Sequence, residues 1–432
     1  MTKPNTLTTH SADPIAILVA VSSADRDEQE IEASLAELEQ LLAGLQVRIG
    51  ARLVQRRPES TGPSLLGSGK LQELHQRLES LKQPPTEQEQ PPHVVLVYDG
   101  ELTPGQQRHL SREFKTEVVD RTQIILQVFQ QRARTRTALL EIELAQLQYE
   151  APRIRDDEGL RARQAGGGGR AAKGHTHVEL RKQQLRKRIT AIRSELASAE
   201  SARKTRQARR EQVHRVALVG YTKAGKSSWL RALTGADTLV QDALFATLDT
   251  TVRALSPPVN PRIVVADTVG FLRNLPNHLL ASFRSTLEEA LDAQLLLLVL
   301  DVSDPQCLVH LETTQQVLEH IEAASLPQLL LLNKVDRLEP EERNRWMDRF
   351  PGAIAVSARS AEDVAQVRQR IIDFFDDALQ TAELCVPFDR AALRAEIWES
   401  ARVLSEQYDE QGGHLTVRAT PALLDRWRQR LS

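Results

Sequence analysis

The sequence predicts an α/β fold built from several domains, and three observations predict it. Short apolar runs alternate with stretches of helical period in two separate parts of the chain. In the second part, one apolar run leads directly into a glycine-rich loop and then a helix. Between the two parts lie long, highly charged helical stretches joined by glycines. A chain of 432 residues exceeds one ordinary domain, and about 150 residues per domain suggests two to four.

Residues 1–13 are polar and predict a disordered tail. Ile15–Val21 predicts a strand, and Glu28–Ala43, with Ile31, Leu35, Leu38, Leu41 and Leu42 at helical spacing, a helix. Strands are expected over Gln46–Val54, His93–Tyr98 and Glu117–Asp120, and helices over Leu71–Leu81 and Pro104–Phe114. Gln83–Pro92 reads as a loop. Alternating strands and helices indicate a small α/β domain over 14–120 with a mainly parallel sheet.

Arg121–Glu150 reads as one long helix with an apolar seam at Leu140, Leu144 and Leu147. The chain should break up over 153–177, around Gly166–Gly169. A second helix is expected from Val178 to about Arg210, with Leu180, Leu185, Ile189, Ile192 and Leu196 apolar. Together these predict an antiparallel helical hairpin over 121–212. Strand–helix alternation then resumes, giving a doubly wound, mostly parallel sheet over 213–380. A small α+β domain over 381–432 is expected to hold a helix (Ala391–Tyr408), a strand (His414–Ala419) and a helix (Pro421–Leu431).

The formal net charge is -2, but it is unevenly spread. Arg153–Arg215 carries 18 Lys/Arg against 7 Asp/Glu. That basic segment on an acidic body suggests a polyanion as partner, or else a solvated coiled coil. Aromatics are 4% of the chain, which argues against a base-stacking surface. Two cysteines, Cys307 and Cys385, cannot build a disulfide framework and fit a reducing compartment. No signal peptide is recognisable, and no run reaches the ~18 apolar residues of a membrane span. A cytoplasmic chain is expected, with peripheral membrane association left open.

The chemistry concentrates in the second α/β part. Val216–Val219 runs into Gly220-Tyr221-Thr222-Lys223-Ala224-Gly225-Lys226-Ser227, a complete GxxxxGK[ST] loop. Its backbone N–H groups and helix start suit phosphate. Lys226 would neutralise the β- and γ-phosphates, and Ser227 would bind Mg2+. Forty residues after Ser227 comes Asp267-Thr268-Val269-Gly270, at a strand end. Asp267 would hold Mg2+ through a water, and the Gly270 N–H would sense the γ-phosphate. After a further apolar strand comes Asn333-Lys334-Val335-Asp336. The Asp336 carboxylate can accept two hydrogen bonds from the guanine N1 and N2 edge, about 1.5–3 kcal/mol each, and adenine offers no such pair. Asn333 would brace this loop and Lys334 cover the base. Ser357-Ala358-Arg359 is similar to the SAK element that contacts guanine O6. The set predicts a GTP/GDP site and hydrolysis through Lys226 and a threonine closing over Mg2+. Phe245-Ala246-Thr247-Leu248-Asp249-Thr250-Thr251 offers that threonine, Thr247 first and Thr251 second. Phe271 stands where Ras-like enzymes place a water-orienting Gln, so slow unaided hydrolysis is expected. Gly67-Ser68-Gly69-Lys70 lacks the spacing of a phosphate loop.

Beyond these motifs the chain resembles the HflX GTPases. GYTKAGKS, LFATLD, ADTVGF and NKVD carry the resemblance, with LLGSGKL (65–71), YDGELTPGQQRHL (98–110), VVDRTQIILQVFQQRART (118–135) and LEIELAQLQYEAPR (140–153) outside the nucleotide motifs. It covers roughly residues 15–430 and implies an N-terminal domain of HflX type. It also implies binding to the 50S subunit and its rRNA, and splitting of 70S ribosomes under stress. The hairpin tip would point toward the peptidyl-transferase region. DNA binding and membrane insertion are not implied, and a monomer is expected when free. Some members bind ATP through the N-terminal domain, but no self-sufficient ATP motif is present.

Two departures stand out. The family's tip reads close to GGGIGTRGPGETQLE. Here it is Gly166–Gly169 followed by Arg170-Ala171-Ala172-Lys173-Gly174-His175-Thr176-His177-Val178-Glu179. And Lys223 stands where the family usually has Asn, which in several related GTPases lacking the catalytic Gln helps hold a potassium ion near the phosphates. Either the Lys223 ammonium takes the cation's place or it points to solvent. A GTP-gated RNA-binding factor for 50S assembly remains the alternative function. An ATP-dependent enzyme is disfavoured by NKVD.

Overall fold

The computed structural model describes residues 14–22, 27–56, 65–83, 91–154, 170–208, 213–236, 245, 251–273, 276 and 292–431. Two compact units are resolved, and each is described by itself. The first comprises residues up to Glu200 with Ala243–Ala246 and Arg273–Phe283, and the second the remainder.

In the first unit, β1 (Ile15–Ser22), α1 (Glu28–Gly44), β2 (Arg48–Arg56), α2 (Ser68–Lys82), β3 (Val94–Tyr98), α3 (Pro104–Phe114) and β4 (Glu117–Asp120) follow one another. The strands form a wholly parallel sheet in the order β2-β1-β3-β4. One core gathers Ile17, Val19, Leu74, Leu78, Leu96, Leu110 and Phe114. The helix starts follow local chemistry. Thr103 and Asp120 each form a reciprocal capping box with a Gln three residues on. Arg121, almost fully buried, donates to Asp99 at 2.7 Å and pairs with Glu37. Losing one member of such a network strands a buried charge.

The expected single helix over Arg121–Glu150 is two, α4 (Arg121–Arg132) and α5 (Arg136–Glu150). Ala133 is extended, and the Thr135 hydroxyl caps α5 by accepting from the Ala138 N–H at 3.2 Å. The break gives the halves different partners: α4 packs on α1, while α5 turns Leu140 and Leu144 toward Ile192. That residue lies on α6 (Arg170–Ala208). Arg136 meets Glu195 at 3.0 Å, and Arg188 meets Glu143 at 2.6 Å. The crossed order makes α5 and α6 antiparallel. Helix α6 starts earlier than expected, because Ala171, Ala172 and Lys173 favour helix enough to offset Gly174. The Gly166–Gly169 run lies outside the described residues.

The second unit holds β5 (His214–Val219), α7 (Lys226–Thr234), β6 (Thr251–Ala254), β7 (Ile263–Asp267), β8 (Leu295–Asp301), α8 (Cys307–His320), β9 (Gln328–Asn333), α9 (Pro340–Arg349), β10 (Ile354–Val356) and α10 (Ala361–Asp376). The sheet order is β10-β9-β8-β5-β7-β6, parallel except for β6. Near-continuous apolar strands such as Leu295–Asp301 are buried on both faces, as a parallel sheet requires. Trp229, Leu230, Val367 and Ile371 bring helices α7 and α10 onto the core.

After α10 come β11 (Gln380–Val386), α11 (Ala391–Ser400), β12 (Arg402–Tyr408), β13 (Gly413–Ala419) and α12 (Pro421–Leu431). The antiparallel sheet runs β11-β13-β12 around Ile397, Val417 and Trp427. The helix expected over Ala391–Tyr408 therefore stops at Ser400. Asp409 nucleates a hairpin turn by accepting from the Gln411 and Gly412 N–H groups, and this claims Arg402–Tyr408 as a strand. Cys307 and Cys385 are both free. Among the described residues no helix is long and apolar enough to cross a membrane.

His214, at the head of β5, offers a test of this packing. Its ring stacks on Phe375 at 4.4 Å, with Nδ1 3.2 Å from Gln294 Oε1. Burial pulls its pKa below the usual 6.5, against the Gln294 hydrogen bond and the Asp376 charge. The unfolded chain thus takes up a proton that the folded one refuses. Stability should fall as pH drops below 6.5, by up to about 1.4 kcal/mol per pH unit. Urea midpoints at pH 7.5 and 5.5 check this: His214→Phe should flatten the difference, and an unchanged slope would contradict it.

Candidate functional site

The site lies at the carboxyl ends of the parallel strands, beside central β5, where α/β sheets bind ligands. Gly220 ends β5 with φ +149°, and a Cβ there would sit 2.4 Å from the Val299 carbonyl oxygen. Only glycine lets the loop leave the strand at this angle. Tyr221 and Phe271 form a parallel bridge: Thr222 N–H donates to Phe271 O at 2.9 Å, and Phe271 N–H to Gly220 O at 3.2 Å. The phosphate loop is thereby stitched to the segment after Gly270. Phe271 itself is buried in the core, so it packs.

Lys223 takes a left-handed φ of +61° and is exposed. Ala224 is buried, and its carbonyl accepts from Asn333 Nδ2 at 2.7 Å. Gly225 precedes α7, whose first residues are Lys226 and Ser227. The Lys226 ammonium donates to Gly220 O at 3.0 Å and Tyr221 O at 2.8 Å. Burial pulls its pKa down to about 8, partly opposed by the Asp267 charge. Ser227 Oγ lies 2.7 Å from Asp267 Oδ2. A hydroxyl and a carboxylate converging this closely form the hard oxygen set that Mg2+ takes. Thr268 donates to Leu218 O at 2.7 Å and is fully buried, with Val269 buried beside it.

The Asn333–Asp336 motif is anchored from three sides. Asn333 Oδ1 accepts from Trp229 Nε1 at 3.0 Å. Lys334, at φ +64°, donates to Lys223 O at 2.9 Å and pairs with Asp301 at 2.5 Å. Val335 is buried at the start of a single 3-10 turn, Val335–Arg337, which presents Asp336. Asp336 lies 3.6 Å from the Arg359 guanidinium. Ser357 N–H donates to Asp363 Oδ2 at 2.8 Å, and Ala358 packs against the core. The phosphate loop, Asp267–Gly270, Asn333–Asp336 and Ser357–Arg359 therefore converge on one end of the sheet.

The intervening segment is placed differently. Ala246, Thr247, Leu248, Asp249 and Thr250 lie outside the described residues. Phe245, expected at the nucleotide, belongs to the first unit, where its ring meets Phe129 edge-on at 4.4 Å. A large aromatic gains more from that apolar contact than from a solvated phosphate. Thr251 opens β6 opposite Asp267. Sequence reasoning missed Asp301, Trp229 and His310, the last stacked on Tyr221 at 3.8 Å. Asp301 carried a signal: it is a charged residue closing the apolar run Leu295–Leu300 at the sheet's functional end.

Comparison with known proteins gives a consistent result. Family descriptions match in chain order: "GTP-binding GTPase N-terminal" over residues 32–130, "GTP-binding GTPase Middle Region" over 132–210 and "50S ribosome-binding GTPase" over 215–334. The chain is 43% identical to a GTPase HflX of Gluconacetobacter diazotrophicus, covering 97% of this chain and 98% of that one. It is 36% identical to the Escherichia coli K12 GTPase HflX, over 78% and 79%. A GTP-binding protein of Sulfolobus solfataricus, solved with GDP, is 21% identical with a TM-score of 0.42, covering 84% of this chain and 98% of that one. On near full-length identity to its relatives, the chain belongs to the HflX family of GTPases.

Proposed function

We propose that this GTPase binds the 50S subunit and uses its nucleotide cycle to split or remodel 70S ribosomes. The observation that carries the reading is the antiparallel α5–α6 pair with its basic outer face. Arg181, Arg186, Lys187 and Arg193 are exposed along α6, while Leu185 and Ile192 are buried. Such a face suits rRNA phosphates rather than bases, and its binding should weaken steeply with salt. The family description "50S ribosome-binding GTPase" over 215–334 supports the partner.

In the proposed site, the amides of Gly220–Ser227 cradle the phosphates, and Lys226 turns its ammonium from the loop carbonyls to the β- and γ-oxygens. Ser227, Thr247 and Asp267 would hold Mg2+. The ion would supply charge neutralisation on the transferring phosphoryl group. Asp336 and Lys334 read and cover guanine, and Ser357–Arg359 closes over O6. Phe271 is buried and cannot orient water, so hydrolysis is slow without the ribosome. On this reading the ammonium of Lys223, at the loop's turn, takes the place of a potassium ion beside the phosphates. GTPase rates in potassium and sodium should accordingly agree within about twofold, and tenfold potassium stimulation (about 1.4 kcal/mol) would contradict this role.

Sedimentation of 70S ribosomes tests the function. With the protein and GTP, or a non-hydrolysable analogue, the 70S peak should convert to subunits with the protein on 50S. Deleting Gly166–Gly174 should abolish conversion. An intact 70S peak with no protein on 50S would overturn the proposal. Cofractionation with 50S precursors alone would favour an assembly role.

A further inference from the structure

Buried Phe271 cannot orient the attacking water, and the phosphate loop offers another side chain that can. Thr222 is the candidate by position. It is 7% exposed, and its hydroxyl is buried without a hydrogen-bond partner. Burying a hydroxyl unsatisfied costs about 1–3 kcal/mol. Its main chain cannot drift, because its N–H is held by Phe271 O at 2.9 Å.

Its neighbours are the two groups assigned above to the γ-phosphate. A Cβ built on Gly270 would meet Thr222 Cγ2 at 2.8 Å, Thr222 Cα at 3.0 Å and Lys226 Nζ at 3.0 Å. The Thr222 methyl, Gly270 and the Lys226 ammonium thus lie together, and the unpaired Thr222 hydroxyl sits on the same Cβ as that methyl. Lys226 is a donor only, and Gly270 offers only backbone. Of these three described residues, Thr222 alone has a side chain that can both donate and accept.

We propose that the Thr222 hydroxyl positions the attacking water, accepting a hydrogen bond from it while donating to a γ-phosphoryl oxygen. The water oxygen bonds to the γ-phosphorus as the bond from that phosphorus to the β–γ bridging oxygen breaks. The water's proton passes to a γ-phosphoryl oxygen, and Thr222 keeps its own. The hydroxyl therefore acts by orientation, as a threonine is too weak a base to take the proton. The role rests on the phosphate-loop assignment above, and the test separates the two.

Thr222→Val keeps the shape and removes the hydroxyl, while Thr222→Ser keeps the hydroxyl. In the full chain, T222V should lower kcat for GTP about 100-fold, the usual effect of one lost transition-state hydrogen bond. It should weaken GDP–aluminium fluoride binding by a similar factor, yet leave GDP affinity within about threefold. T222S should recover most of the rate. A T222V kcat within about threefold of wild type would overturn the proposal, as would T222S falling as low as T222V. So would GDP affinity falling in step with kcat, the mark of a structural role. If T222V does not fold, T222A is read by the same criteria. Failure of the wild-type chain to lose GDP on Lys226→Met substitution would instead strike the site assignment.

Discussion

Asp336→Asn should weaken GDP and GTP binding about 100-fold or more and transfer preference to xanthine nucleotides. On the proposed reading Asp336 has one task. It projects from the Val335–Arg337 turn, whose preceding residues are held by Trp229, Ala224, Lys223 and Asp301. A carboxylate presented this way can accept from guanine N1–H and N2–H2 together. Charge-assisted bonds contribute about 1.5–3 kcal/mol each, so losing about 3 kcal/mol of the pair is a factor of over 100. The Asn amide also turns one acceptor into a donor, which opposes the guanine amino group and suits the xanthine C2 carbonyl. Titration with fluorescent GDP and XDP checks both arms. Equal GDP affinity in the variant would remove Asp336 from base recognition. Arg359, 3.6 Å from the same carboxylate but largely exposed, should matter far less, since exposed pairs contribute about 0–1 kcal/mol.

How much of this was legible in the sequence depended on how far apart the interacting residues lie along the chain. The phosphate loop was legible because its strand, glycines, lysine and helix are contiguous, and local backbone geometry forces the spacing. The base-reading loop was legible as a motif, but its anchors were not. Trp229 to Asn333 spans 104 residues and Asp301 to Lys334 spans 33, and no local period links them. The helix break at Ala133–Thr135 was missed because helical periodicity continues through it. Only the competing demands of α1 and α6 for different faces decide it. Strand β12 was misread for a related reason: Arg402–Tyr408 has no strong preference of its own until the turn at Asp409 pairs it with β13. The buried triad of Arg121, Asp99 and Glu37 left no signal, since each residue alone reads as a surface charge.

Lys226→Met should abolish nucleotide binding and hydrolysis without destabilising the nucleotide-free protein. Most buried-site substitutions cost stability, so the combination is diagnostic. Lys226 is buried among loop carbonyls, and its pKa falls from 10.5 to about 8 because burial disfavours the ammonium. That depression is an unfavourable contribution to folding, on the order of 3 kcal/mol below pH 8. It fades as pH rises from 8 toward 10.5, where the unfolded chain also loses the proton. Methionine removes the penalty and fills similar volume. It also forfeits the hydrogen bonds to Gly220 O and Tyr221 O, which return about 1–3 kcal/mol to the other side. The sum leaves the variant as stable as wild type or up to about 2 kcal/mol more stable at pH 7. Nucleotide binding has no such offset. The ammonium's bonds to β- and γ-oxygens would be charge-assisted, and losing two of them would cost at least about 3 kcal/mol, or 100-fold in Kd. Melting curves with and without GDP read both effects at once. The wild type should gain Tm on adding GDP, and the variant should start no lower and gain nothing. A variant that melts far below wild type without nucleotide would mean that Lys226 holds the loop together rather than waiting to be drawn out of it by phosphate.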